Sequence, residues 1–217
     1  YKVNDTDIVT FHVMYDNGST MTMQSQKNTI DNTMWISAAD YATYNTDGTS
    51  CSYDSCNDEG PMTALVALER ATKSWTNVNN QTYTMGTTSL SSNGELTGCS
   101  AYNSCTINQY TLDGRTAKAR MITVQEAVNL GCTTTNKSCP SWMNNYLYNS
   151  TSYGGTVNDS TLDLATGSNN NGYWTMNAHS ANISKHDAWY VYFRGHVSSN
   201  RSYSSSYGAR AVVVVSK

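Results

Sequence analysis

The chain has 217 residues, of which 38% are hydrophobic and 13% charged, and its formal net charge is −3. That length supports one domain with a proper core, and the lack of any Lys/Arg cluster removes the basic patch on which nucleic-acid binding rests. No apolar run reaches the ~18 residues of a membrane-spanning helix, so membrane attachment is expected only through an anchor outside this chain.

Asn, Ser, Thr, Tyr and Gly take the place of the missing charges. Sixteen Tyr and five Trp, set in regular apolar periodicity, argue for an ordered fold rather than disorder. The six cysteines form three local couples: Cys51 with Cys56, Cys99 with Cys105, and Cys132 with Cys139. Fifteen connectivities are formally open, and neighbours across short polar loops are the simplest. The spacings are wider than zinc ligands use and no histidine lies near any couple. Disulfides are expected, and with them an extracellular or cell-surface location.

In chain order, "DIVTFHVMYDNGSTMTMQSQ" (residues 7–26) places β-branched and aromatic residues on both sides of Asp16-Asn17-Gly18 and predicts a hairpin. "GPMTALVALERATKSW" (60–75) predicts a helix, with Pro61 in its first turn and Met62, Leu65, Val66, Leu68 and Trp75 along one stripe. Residues 77–110 read as a loop-rich insertion with short strands, as at "QTYTMG". "AKARMITVQEAVNLGC" (117–132) predicts a second helix: Thr123 and Glu126 have capping-box spacing, and Gly131 stops it. "CPSWMNNYLY" predicts a third helix, with Trp142, Met143, Tyr146 and Leu147 buried. Residues 149–172 read as loop and the remainder as β. No repeat or linker breaks the chain, so one domain, 1–217, is expected.

The stretch "AWYVYFRGHV" alternates almost perfectly. Trp189, Val191, Phe193 and Val197 fall on one face of a pleated pair, with Tyr190, Tyr192, Arg194, His196 and Ser198 on the other and Gly195 at the bend. Upstream, Trp174 and Met176 alternate with Thr175, Asn177 and His179. The first set suits a core. The second suits recognition, because Tyr, Arg, His and Asn provide contact area and adaptable hydrogen bonds at modest entropy cost.

"KARMITVQEAVNLG", "GYWTMNA", "AWYVYFRGHV" and "YGARAVVVVSK", in that order, resemble successive motifs of the C-type-lectin-like fold of bacterial proteins. That superfamily includes formylglycine-generating enzymes and the variable proteins of diversity-generating retroelements. Arg120, Met121, Ile122, Thr123 and Glu126 occupy the place of the family's strand-to-helix motif, and Gly208 and Arg210 that of its closing Gly-x-Arg. The resemblance implies an α+β fold of antiparallel sheets, two or three helices and disulfide-stapled loops. It also implies a candidate variable region over 173–210. In such proteins an error-prone reverse transcriptase rewrites adenines near the 3′ end, converting Asn codons to Tyr, Ser, His, Asp or Arg.

The expected ligand-binding residues are Asn177, His179, Asn182, His186, Tyr190, Tyr192, Arg194, His196, Asn200, Arg201, Tyr203 and Tyr207. The expected ligand is an unidentified protein or glycan on another cell, a phage or a host surface. A structural or tip subunit of a pilus-like assembly is the alternative.

No enzyme activity is expected. The formylglycine-generating enzymes use reactive cysteines in the C-terminal half, where this chain has none after Cys139. The calcium-binding motifs of sugar-binding C-type lectins are absent, and Asp54, Asp58 and Glu59 read as a solvated acidic loop. No Gly-x-Ser-x-Gly elbow is present. His179, His186 and His196 lack carboxylate-rich surroundings, so neither a metal nor a cofactor is expected.

Overall fold

The structure is a computed structural model describing residues 1–45, 48, 51, 56–57, 59–82, 88–90, 96–97, 105–106, 116–143, 172–181, 184–205 and 207–217. The N-terminal hairpin forms from β1 (Phe11–Asp16) and β2 (Thr20–Ser25). Gly18 takes φ 91°, and Asp16 Oδ1 accepts its amide at 2.8 Å. Asn17 Oδ1 accepts the amides of Ser19 and Thr20 at 3.0 and 2.8 Å, so side chains satisfy the turn that glycine makes sterically possible.

β3 (Ile30–Thr33) leads into α1 (Ala38–Tyr44), an element with no predicted counterpart. Ser37 caps it, the Asp40 amide donating to Ser37 Oγ at 3.1 Å. The helix buries only Tyr41, so no apolar stripe announced it. α2 (Met62–Thr72) follows as predicted, burying Met62, Ala64, Leu65 and Leu68. Within the expected insertion, short strands β4 (Gln81–Thr82), β5 (Thr88–Leu90), β6 (Leu96–Thr97) and β7 (Cys105–Thr106) are described. β8 (Thr116–Ala117) pairs with β4.

α3 (Val124–Asn129) carries the expected capping box. The Glu126 amide donates to Thr123 Oγ1 at 3.1 Å and the Thr123 amide to Glu126 Oε2 at 2.9 Å. Arg120 grips the same carboxylate with both terminal nitrogens, at 2.7 and 2.5 Å. Burial opposes ionisation of Glu126, yet the hydrogen bonds and charge of Arg120 prevail and hold its carboxyl below the ordinary value.

The third predicted helix differs. A 3₁₀ turn, Ser141–Met143, occupies its described start, and the carbonyls of Trp142 and Met143 accept from Arg210 Nη1 at 3.3 and 3.4 Å. Tyr146 and Leu147 lie outside the described residues.

The C-terminal region is β9 (Gly172–Ala181), β10 (Ser184–Tyr192), β11 (His196–Arg201), β12 (Tyr207–Ala209) and β13 (Val212–Ser216). An eight-stranded sheet runs β11-β10-β9-β7-β5-β6, with β12 pairing β9 in parallel and β3 antiparallel. A second sheet runs β1-β2-β13 and joins both ends of the described chain. Val213 and Val215 enter the larger core cluster and Val212 the smaller, which explains an uninterrupted valine run instead of alternation.

Those two clusters lie on opposite faces of the β9–β10 pair. Trp174, Met176, Ala178, Ala188 and Tyr190 face Trp35, Leu65 and Leu68 on one side. Tyr173, Trp189, Val191 and Val197 face α3 and the Cys132–Cys139 loop on the other. The architecture is thus α+β with mostly antiparallel pairing. Two of the three expected disulfides are described, Cys51–Cys56 and Cys132–Cys139. The third couple involves Cys99, which lies outside the described residues, as do Asp54 and Asp58 of the acidic loop. Among the described residues no helix is long and apolar enough to cross a membrane.

Candidate recognition surface

β10 and β11 form the hairpin the alternation predicted. Tyr192 opposes His196, Val191 opposes Val197, Tyr190 opposes Ser198, and Ala188 opposes Asn200. Gly195, with φ 70°, makes the turn. Because paired residues share a face, Tyr190, Tyr192, His196, Ser198 and Asn200 stand together, opposite the buried Trp189, Val191 and Val197. Phe193 departs from the expectation. It belongs to the turn, not the core, and its ring lies 4.3 Å from that of Tyr192.

An aromatic series runs along this face. Trp174 lies 4.5 Å from Tyr207, Tyr207 lies 4.3 Å from Tyr190, and Tyr190 meets Tyr192 edge-on at 5.7 Å. The His196 ring stands 5.0 Å from Tyr192, and the Arg194 guanidinium carbon lies 6.0 and 5.5 Å from the Tyr192 and Phe193 rings. Burial raises the phenol pKa of Tyr190, so it stays protonated beside the hydroxyls of Ser198 and Tyr207. Burial, then the charge of Arg194, lowers the pKa of His196 and keeps the imidazole neutral at pH 7.

Exposure corrects the expected site at four positions. Asn177, His186, Tyr190 and Tyr207 retain only 1, 6, 6 and 3% of their accessible surface. Asn177 Oδ1 accepts the Val124 amide at 2.8 Å, capping α3 from beneath. Tyr190 and Tyr207 pack against Trp174, because this face passes under the larger core before emerging at Tyr192. His186 lies near Tyr203, their rings 6.3 Å apart. The tract after β11 is tied down as well: the buried Ser202 accepts the amides of Trp35 and Ile36 at its carbonyl, at 2.8 and 3.1 Å. A strand can therefore alternate perfectly and still be covered on both faces over part of its length.

The other expected residues are placed as follows. Tyr192, Arg194, His196 and Asn200 are half-buried and share the hairpin, with the Asn200 amide donating to Tyr207 Oη. Arg201 is exposed, and its Nη1 donates to Tyr203 Oη at 2.9 Å. His179 stands on the opposite face, edge-on to Trp189 at 4.8 Å, and burial lowers its pKa despite the opposing charge of Asp187. Asn182 lies outside the described residues. Among the described residues no group of His, Cys, Asp and Glu is arranged to hold a metal ion.

One contributor had no signal in the spacing. The Cys132–Cys139 loop, read only as a stapled loop, runs beside the hairpin turn. The Lys137 amide donates to the Arg194 carbonyl at 2.9 Å, the Cys139 amide to that of Gly195 at 2.8 Å, and the Val197 amide to that of Thr133 at 2.9 Å. Partners far apart in sequence meet through backbone groups, which residue type does not encode. No protein-family model, curated protein or solved structure matches this chain.

Proposed function

We propose that this chain is a secreted or surface-displayed ligand-binding protein of the C-type-lectin-like class, not an enzyme. Its binding residues belong to a segment diversified as in retroelement variable proteins. The observation that supports this reading is the division of labour in the β10–β11 hairpin. Trp189, Val191 and Val197 are buried and the backbone ladder is complete, so the fold depends far more on them than on what stands at Tyr192, Arg194, His196, Ser198, Asn200 and Tyr203. Those half-exposed positions hold the Tyr, Arg, His, Ser and Asn typical of adaptable binding surfaces. The two disulfides fit an oxidising, extracellular location.

Sequencing the 3′ end of the gene across a growing population tests this. Substitutions should concentrate at Tyr192, Arg194, His196, Ser198, Asn200 and Tyr203 and spare Asn177, Trp189, Val191 and Gly208. An invariant 3′ end would remove the diversified reading and favour a subunit of a pilus-like assembly with one fixed partner.

A further inference from the structure

The β10–β11 hairpin is held at its turn by backbone bonds to the Cys132–Cys139 loop, and its far end is anchored differently. There β10 carries an irregularity: Ser184 faces Ala181 of β9 and Asp187 faces His179, so three steps along β10 match two along β9. A bulge of this kind interrupts the ladder and bends the strand that carries it. The consequence reaches the recognition face, because Asp187 and Ala188 are the partners of Arg201 and Asn200 on β11. A slip of β10 at the bulge would move those two residues, and Ser198 and Tyr203 beside them.

Asn57 spans this bulge. Its Nδ2 donates to the His179 carbonyl and to the Asp187 carbonyl, each at 2.7 Å, so one primary amide joins facing residues of both strands. Among uncharged side chains only Asn and Gln carry two N–H donors on one nitrogen. Asn57 is 6% exposed, and its own backbone is fixed on both sides. Cys56 before it is buried in the larger core and bonded to Cys51, and the Asn57 carbonyl accepts the Gly60 amide at 3.4 Å just ahead of α2.

The second anchor at this end is made of backbone alone. The Ser202 amide donates to the His186 carbonyl at 2.6 Å, and the Ser202 carbonyl accepts the amides of Trp35 and Ile36. Neither anchor uses the side chains of Ser198, Asn200, Arg201 or Tyr203.

We propose that Asn57 is the positioning residue of the recognition surface: it holds β9 and β10 in register from outside the diversified segment, so that Ser198, Asn200, Arg201 and Tyr203 can change without moving the strands beneath them. This rests on the reading of the hairpin as the binding face. Asn57 itself touches no ligand. Its part is to keep a changing set of side chains on an unchanging backbone.

The test uses the full oxidised chain in surface display, with Ser198, Asn200, Arg201 and Tyr203 randomised together in four frameworks: wild type, Asn57→Ala, Asn57→Ser and Val213→Ala. Val213→Ala truncates the larger core from β13, in the other sheet, and controls for lost stability. Each library is challenged with protease at the same interval below the melting midpoint of its own unrandomised parent, and the surviving members are counted by sequencing. The wild-type library should keep most of its members. In Asn57→Ala the surviving share should fall about five- to tenfold below that in Val213→Ala, the scale on which a buried group left unpaired acts. Asn57→Ser, which keeps one donor, should fall between them and carries the test if Asn57→Ala does not fold. Equal shares in the Asn57 variants and Val213→Ala would overturn the proposal and make Asn57 a residue of general stability, while leaving the hairpin as binding face. A wild-type library that mostly fails would overturn it together with the division of labour in the hairpin, because the surface side chains would then be holding the strands.

Discussion

Gly208 shows how tightly single residues hold this region. A Cβ there would lie 2.1 Å from Asn28 Nδ2 and 2.5 Å from the Ile30 carbonyl. Asn28 is not free to withdraw, because its Oδ1 accepts Arg210 Nε at 3.2 Å. Arg210 itself is fully buried, its guanidinium carbon 4.2 Å from the Tyr173 ring. Gly208→Ala should therefore destabilise the protein by about 1–3 kcal/mol, the cost of overpacking, as read from a urea midpoint.

The two faces of the hairpin should separate just as clearly. Trp189→Ala opens a cavity in the smaller core and should cost about 3–5 kcal/mol. Joint replacement of Tyr192 and Arg194 by Ala should abolish ligand binding for about 1–2 kcal/mol, since Tyr192 loses ring contacts at a half-exposed site. Thermal melts beside binding measurements check both, and a stability loss as large as that of Trp189→Ala would make Tyr192 and Arg194 structural. The alternation was legible because pleating alone sets which residues share a face. That Tyr190 and Tyr207 are covered was not, since Trp35 and α2, which pack over that face, come from more than a hundred residues upstream.

Among the elements, α3 was the most legible, because its start is written in four consecutive residues, Thr123 to Glu126, whose hydrogen bonds are local. The Asn177 cap from β9 that completes it was not, being a tertiary contact. α1 went unpredicted because its seven residues bury one side chain. Of the third predicted helix only the start is described, and there the chain makes a 3₁₀ turn, Ser141–Met143. The Cys132–Cys139 loop is the element whose role most exceeds its sequence signal. Closing a loop with seven residues of separation contributes about 2–3 kcal/mol of unfolded-state entropy. Replacing both cysteines by Ser should cost that much. It should also speed amide exchange at Lys137, Cys139 and Val197, whose protons bridge loop and hairpin, while the β13 amides keep their protection apart from the global loss. Unchanged exchange at those three amides would mean that the backbone bonds alone hold the turn.

Across the whole molecule, histidines couple the fold to acid. Burial lowers the pKa of His12, His179 and His196 below the ordinary 6.5, with Arg210 acting in the same direction on His12 and Arg194 on His196. The unfolded chain therefore takes up protons first as pH falls through 6.5. Stability is full above that value and declines toward the lowered folded values. Glu126, also lowered, adds a further loss once pH drops below 4.5. Urea midpoints should thus fall between pH 7.5 and 5.5 and fall again in stronger acid, and a midpoint unchanged over the first interval would mean that the three imidazoles titrate as in the unfolded chain.

The sequence by itself determined the local pieces: the Asn-Gly hairpin, the α2 stripe, the Thr123–Glu126 cap, the Cys51–Cys56 and Cys132–Cys139 couples and the alternation from Trp189 to Val197. Each depends on interactions within about ten residues. Only the tertiary structure decided that β9 and β10 would lie between two cores, that Asn177 and Tyr190 would turn inward, and that the Cys132–Cys139 loop would flank the hairpin. Those outcomes depend on which distant surfaces must be covered together to remove apolar area from water, and no local pattern records that requirement.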